Sequence, residues 1–190
     1  MAQNSASADG GSTIDHPAAD LDTIVVDPDD VVASIRRNRR DETKQRSHVL
    51  RVTPPLQGER TASLHVSEPH THYPPEMDPT PLHISPEAFI VGHGSGSRHP
   101  EFRGEWEVPD RTVERSRFRD HVDAYDDAGN PLPVEGELAD AWDEWWSASE
   151  EHWEDRVRTA LAKTETLTLA SRHPDVENTT VSVRFEGNGE

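Results

Sequence analysis

His70 and His72 stand one residue apart, and Glu76 follows in the same short stretch. Alternate side chains of an extended segment point the same way, so the two imidazoles can hold one divalent metal ion together, with Glu76 as a third ligand. Six of the 11 histidines lie between His65 and His99. The plainer reading is a loop cluster of imidazoles that are exposed or bonded to backbone carbonyls.

A second grouping is cationic. Seven of the 19 basic residues fall between Arg36 and Arg51, where only Asp41 and Glu42 oppose them, for a local charge of +5. Arg36, Arg37, Arg39, Arg40, Lys44 and Arg46 end a helix and run on into a loop, a layout that can track a phosphate backbone or an acidic protein partner. Arg111, Arg115, Arg117 and Arg119 can extend that surface. The competing reading has these arginines paired with the chain's own carboxylates, solvating a helix end.

Other patterns carry less. Gly92-His93-Gly94-Ser95-Gly96-Ser97-Arg98-His99 follows an apolar run but lacks the Lys-Ser/Thr ending of a phosphate loop, and reads as a connector. There is no Gly-x-Ser-x-Gly nucleophile elbow. Carboxylate pairs are so common here that they say nothing about acid–base chemistry. Trp142, Trp145, Trp146 and Trp153 fall on one helical face, which reads first as core and second as a stacking surface. Arg156 lies inside the same apolar arc and is expected to find a carboxylate or a backbone carbonyl.

The spacing His-x-His-x3-Glu at 70–76 resembles the first metal-binding motif of cupins. The two positions that family gives to glycine hold Leu64 and His83, and its second motif is missing, so the chain is not read as a cupin. Composition resembles something else. With 37 Asp+Glu, a net charge of −18, and lysine only at 44 and 163, the whole chain is similar to the cytoplasmic proteins of salt-accumulating haloarchaea. That resemblance implies adaptation to salt, because molar salt shortens the Debye length to about 3 Å and quenches self-repulsion. It brings no functional family with it. The absence of cysteine excludes disulfides, thiol nucleophiles and Cys-ligated metals. The start has no signal-peptide pattern and the aliphatic runs are too short to span a bilayer, so a soluble cytoplasmic protein is expected.

These residues need elements to hold them. Residues 1–22 are small, polar and acidic, and read as a disordered tail ahead of a single α+β domain at 23–190. Asp27-Pro28-Asp29-Asp30 opens a helix that ends at Arg36–Arg40. Ser47–Thr53 and Thr61–Ser67 alternate as a hairpin around Pro54-Pro55-Leu56-Gln57-Gly58. Residues 68–109 are irregular and rich in Pro, His and Gly, with one short helix after Ser85-Pro86-Glu87. A helical face over Thr112–Tyr125 precedes a long amphipathic helix from about Val134 to Lys163. Thr164–Ala170 and Thr180–Phe185 close the chain as a second hairpin. The expected fold is therefore α+β, a small antiparallel sheet of two hairpins covered by the tryptophan helix. The expected function is a non-enzymatic binding module, contacting nucleic acid through the arginine segment. The alternative is a metal-binding protein or metal-dependent enzyme built on His70, His72 and Glu76.

Overall fold

Ile24, Val25 and Val26 are apolar without alternation, which is the pattern of a strand buried on both faces. They lie at the middle of the sheet, each at most 5% exposed. The computed structural model describes residues 15–40, 46–68, 72–91, 93–94, 106–171 and 174–187. In chain order the elements are β1 (Leu21–Val26), α1 (Pro28–Arg40), β2 (Ser47–Val52), β3 (Gly58–Ser67), β4 (Leu82–Ile84), α2 (Ala88–Val91), β5 (His93–Gly94), α3 (Arg111–Val122), α4 (Glu137–Leu161), β6 (Thr166–Leu169) and β7 (Thr179–Phe185). They build one mixed sheet in the order β4-β2-β3-β1-β7-β6-β5.

The two expected hairpins, β2–β3 and β6–β7, are both antiparallel as read. They do not pair with each other. β1 is inserted between them, parallel to β3 on one side and to β7 on the other. The small antiparallel sheet expected from the sequence is thus corrected to a larger mixed one. β1 joins the halves because its unbroken apolar run suits a central parallel strand and not a half-exposed hairpin. β4 extends the sheet beyond β2 with only three residues, too few to show a period. The expected tail boundary at residue 22 falls inside β1, and Ala18 and Leu21 are already buried.

All the helices that touch the sheet lie on one face. Val31, Val32 and Ile35 of α1, Phe89 of α2, and Trp153, Val157 and Leu161 of α4 share one core with Ile24, Val26, Leu50, Val52, Leu167, Val181 and Phe185. Asp27 caps α1 by accepting from the Asp29 N–H at 2.8 Å. Where β1 gives way to α1, β3 loses its ladder partner, and Asp30 Oδ2 replaces it by accepting from Leu64 N at 3.0 Å. The hairpin enters β3 through Gly58, whose φ of 61° suits a residue without Cβ. Its N–H donates to Asp20 O at 2.7 Å, tying the turn to the start of β1.

The tryptophan stripe of α4 divides. Trp153 sits on the sheet, whereas Trp142, Trp145 and Trp146 meet α3. A helix of this length spans about 37 Å, enough to serve two separate contacts. Phe118 packs edge-on against Trp142 at 5.6 Å, and Arg115 and Arg111 lie over Trp142 and Trp146 at 5.2 and 5.6 Å. Glu114, only 8% exposed, accepts from Arg117 (2.6 Å), Trp145 Nε1 (3.2 Å) and Ser149 Oγ (3.3 Å). Among the described residues, no helix is long and apolar enough to cross a membrane.

Candidate functional site

Asn38 sets the direction of the arginine segment. Its Nδ2 donates to His48 O at 2.8 Å and its Oδ1 accepts from His48 N at 2.6 Å, clamping the last turn of α1 to the start of β2. Arg36 turns inward from that turn, lying 5.2 Å over the Trp153 ring and 2.9 Å from Glu154. Arg39 approaches Glu107 (3.9 Å) and Asp110 (3.8 Å), Arg40 approaches Glu150 (3.7 Å), and Arg46 meets Glu68 (3.2 Å). Arg37 is exposed and makes no ion pair among the described residues, and Lys44 lies outside them. Exposed pairs at such distances contribute about 0–1 kcal/mol each. Arg36 is therefore a structural residue, while Arg37, Arg40 and Arg46 keep accessible guanidinium groups.

The second arginine cluster makes contacts of its own on α3 and α4. Arg111 and Arg115 stack on α4 tryptophans, Arg117 binds Glu114, and Arg119 donates to Leu132 O at 3.4 Å. Of the expected metal ligands, His70 lies outside the described residues, and His72 and Glu76 are exposed. Among the described residues, no three His, Asp or Glu side chains are grouped to hold a metal ion. Of the glycine-rich connector only residues 93–94 are described, as β5.

A different grouping forms on the sheet face that none of the described helices covers. Arg51 of β2 stands opposite Ser63 of β3 and His83 of β4, and His65 stands opposite Val49. Side chains at every second position share a face, so Arg51, Ser63, His65, Ser67 and His83 all point away from the helices. Tyr73, from the loop before β4, closes over them. Its hydroxyl shares a 2.7 Å hydrogen bond with His83 Nε2, and Ser67 Oγ lies 3.3 Å from His83 Nδ1. The His65 and His83 rings are 5.3 Å apart, and Arg51 lies 5.6 Å over the Tyr73 ring. Burial, and then the Arg51 guanidinium, hold the His65 imidazole below its ordinary pKa.

The electrostatics of this face differ from those of the rest of the chain. Glu59 is the one carboxylate on the open side of β2, β3 and β4 among the described residues, and Arg184 neutralises it at 2.7 Å. Anions meet cation, imidazole, phenol and hydroxyl donors there. Ser67 and His83 also resemble a nucleophile and its base. However, Nε2 of His83 faces a neutral phenol, which does not stabilise an imidazolium as a carboxylate would.

A family model described as a domain of unknown function, DUF8009, matches residues 11–187. The chain belongs to the DUF8009 family. No curated protein and no solved structure matches it. The DUF8009 match takes in every element from β1 to β7, so the arginine segment and the open sheet face are both parts of that domain.

The sheet-face cluster of the DUF8009 domain escaped the sequence reading. Its histidines were grouped with His70 and His72 by proximity along the chain, but strand register decides which imidazoles meet. The available signal was Arg51, His65 and Ser67 at outward positions of a hairpin already recognised. What was missing was β4, which brings His83 beside Arg51.

Proposed function

We propose that this DUF8009 chain is a salt-adapted, non-enzymatic binding module that takes single-stranded nucleic acid across the open face of β2, β3 and β4. The observation that carries the reading is the company Arg51 keeps. In a chain of net charge −18, Arg51, His65, His83 and Tyr73 share a face on which Glu59, the one carboxylate among the described residues of β2, β3 and β4, is already paired. Flat side chains and a guanidinium on an uncovered sheet suit base stacking, which contributes about 1–3 kcal/mol per base without sequence preference. The arginine segment lies at one end of β2, on the helix side of the sheet, where Asn38 fastens its helix to His48 and Arg46 leads into the strand. In molar salt, long-range steering is quenched and such short contacts are what remain.

Fluorescence anisotropy with a labelled oligouridylate of about 12 nucleotides tests this. The double variant Arg51→Ser, Tyr73→Ala is expected to weaken binding at least about tenfold, and Arg37→Ser with Arg40→Ser about two- to threefold. Affinity should also rise on acidification. The free protein holds His65 below its ordinary value, a bound phosphate favours the imidazolium, and complex formation therefore takes up a proton as pH falls past about 6.5. No binding by the unmodified chain, or an unchanged double variant, would overturn the proposal. Displacement by polyglutamate at equal charge would assign the surface to acidic polymers in general and sink the nucleic-acid reading.

Salt adaptation has its own test. The acid excess repels itself, and raising KCl from about 0.1 to about 2 M shortens the Debye length from about 10 Å to below 3 Å. The melting temperature should rise by at least about 5 °C across that range, since each kcal/mol is worth about 2–4 °C in a chain of this size. A flat or falling profile would remove salt adaptation from the proposal.

A further inference from the structure

Among the described residues, Arg156 Nε does not find the partner that its place in the apolar arc demands. Its Nε is buried without a hydrogen-bond partner, and the side chain makes no ion pair among the described residues. A buried N–H donor left in that state is destabilising unless something else meets it. Beside it opens a cavity of about 460 Å³ at the C-terminal end of α4.

The lining of that cavity says what would meet it. His152, Arg156 and Thr159 recur along one side of the helix, and Lys163 and Thr164 follow just past its end. Lys163 is one of only two lysines in a chain that otherwise uses arginine for its positive charge. The hydroxyls of Thr159 and Thr164 add donors, although Thr164 Oγ1 also reaches Ala160 O at 3.3 Å. Asp155 is the one carboxylate among the described lining residues and opposes two cations and an imidazole. The remaining wall is apolar, from Ile90, Ala160 and Trp106, whose backbone oxygen is held by Trp153 Nε1 at 3.0 Å.

We propose that this cavity binds a small organic anion, an oxyanion head seated on Arg156 and Lys163 with a flat apolar body against Trp106 and Ile90. A cavity of this volume is within the usual range for small-molecule sites. Guanidinium and ammonium groups together recognise a phosphate or a carboxylate, and the apolar wall requires more than the bare ion. The site lies on the helix side of the sheet and shares no residue with the Arg51 face.

Isothermal titration of the full chain with phenyl phosphate, benzoate and inorganic phosphate tests the assignment. Phenyl phosphate or benzoate is expected to bind saturably and more tightly than inorganic phosphate. Arg156→Met should reduce that affinity at least about tenfold, and Lys163→Met should reduce it less. Arg51→Ser, on the other face, should leave it unchanged. Arg156→Met should also raise the melting temperature of the free protein, because a flexible apolar side chain replaces a buried donor left unpaired. That second readout separates lost binding from lost folding. No saturable binding of either aromatic anion overturns the proposal, as does an Arg156→Met chain that binds like the unmodified one or melts lower without ligand.

Discussion

Replacing Trp153 by alanine is expected to remove about 3–5 kcal/mol of stability, a large share of the roughly 5–15 kcal/mol that holds a typical domain folded. Trp153 is 1% exposed and belongs to the core shared by α1, α4 and the sheet. Truncation removes the indole area from that core and leaves a cavity that helix and sheet cannot both collapse to fill. It also orphans Trp106 O, which accepts from Nε1, and takes away the ring beneath Arg36. Arg36 would keep only its pair with Glu154. Trp153→Phe retains most of the apolar contact and loses the N–H donor, so about 1–2 kcal/mol is expected. Urea denaturation followed by far-UV circular dichroism measures both. An alanine variant within about 1 kcal/mol of the unmodified chain would mean that α4 is not seated on the sheet through this residue.

The same tryptophan shows what the sequence can and cannot reveal. Its helical period was plain, because apolar residues every three or four positions over α4 leave little choice of secondary structure. Which surface each tryptophan meets was not plain, since that depends on where α3 returns after residue 110. β1 carried its own signal: an unbroken Ile-Val-Val run belongs to a central strand. Its parallel pairing with both β3 and β7 needed the three-dimensional path of the chain. The arginine segment was legible as charge, but its division between Arg36 against Trp153 and the accessible Arg37 was not. Charge runs record composition, and only packing decides which members are used internally. Arg156 is the converse case. Its position in the apolar arc calls for a carboxylate or a backbone carbonyl, and among the described residues its Nε meets neither.

Glu114→Ala should be the second large perturbation, at about 2–3 kcal/mol, and its consequences should stay local. The carboxylate is the only acceptor among the described residues for Trp145 Nε1, and it also takes Arg117 and Ser149 Oγ. Ser149 retains a second acceptor in Trp145 O at 3.0 Å, so the indole N–H is the donor left stranded. Glu114→Gln keeps an acceptor oxygen in place and loses the charge that strengthens the Arg117 contact, for an expected loss of about 1 kcal/mol. A double-mutant cycle with Trp145→Phe isolates the pair, and a coupling of about 1 kcal/mol or more is expected for groups in direct contact. The location of the damage is as informative as its size. α3 meets the N-terminal half of α4 through Phe118, Trp142 and Trp146, whereas the C-terminal half sits on the sheet through Trp153, Val157 and Leu161. Loosening α3 should therefore change the near-UV signal of Trp142 and Trp145. Oligonucleotide binding at Arg51 and anion binding at Arg156 should persist. Loss of both along with Glu114 would show that α4 transmits the α3 contact along its length, and that the two halves of the domain are one cooperative unit.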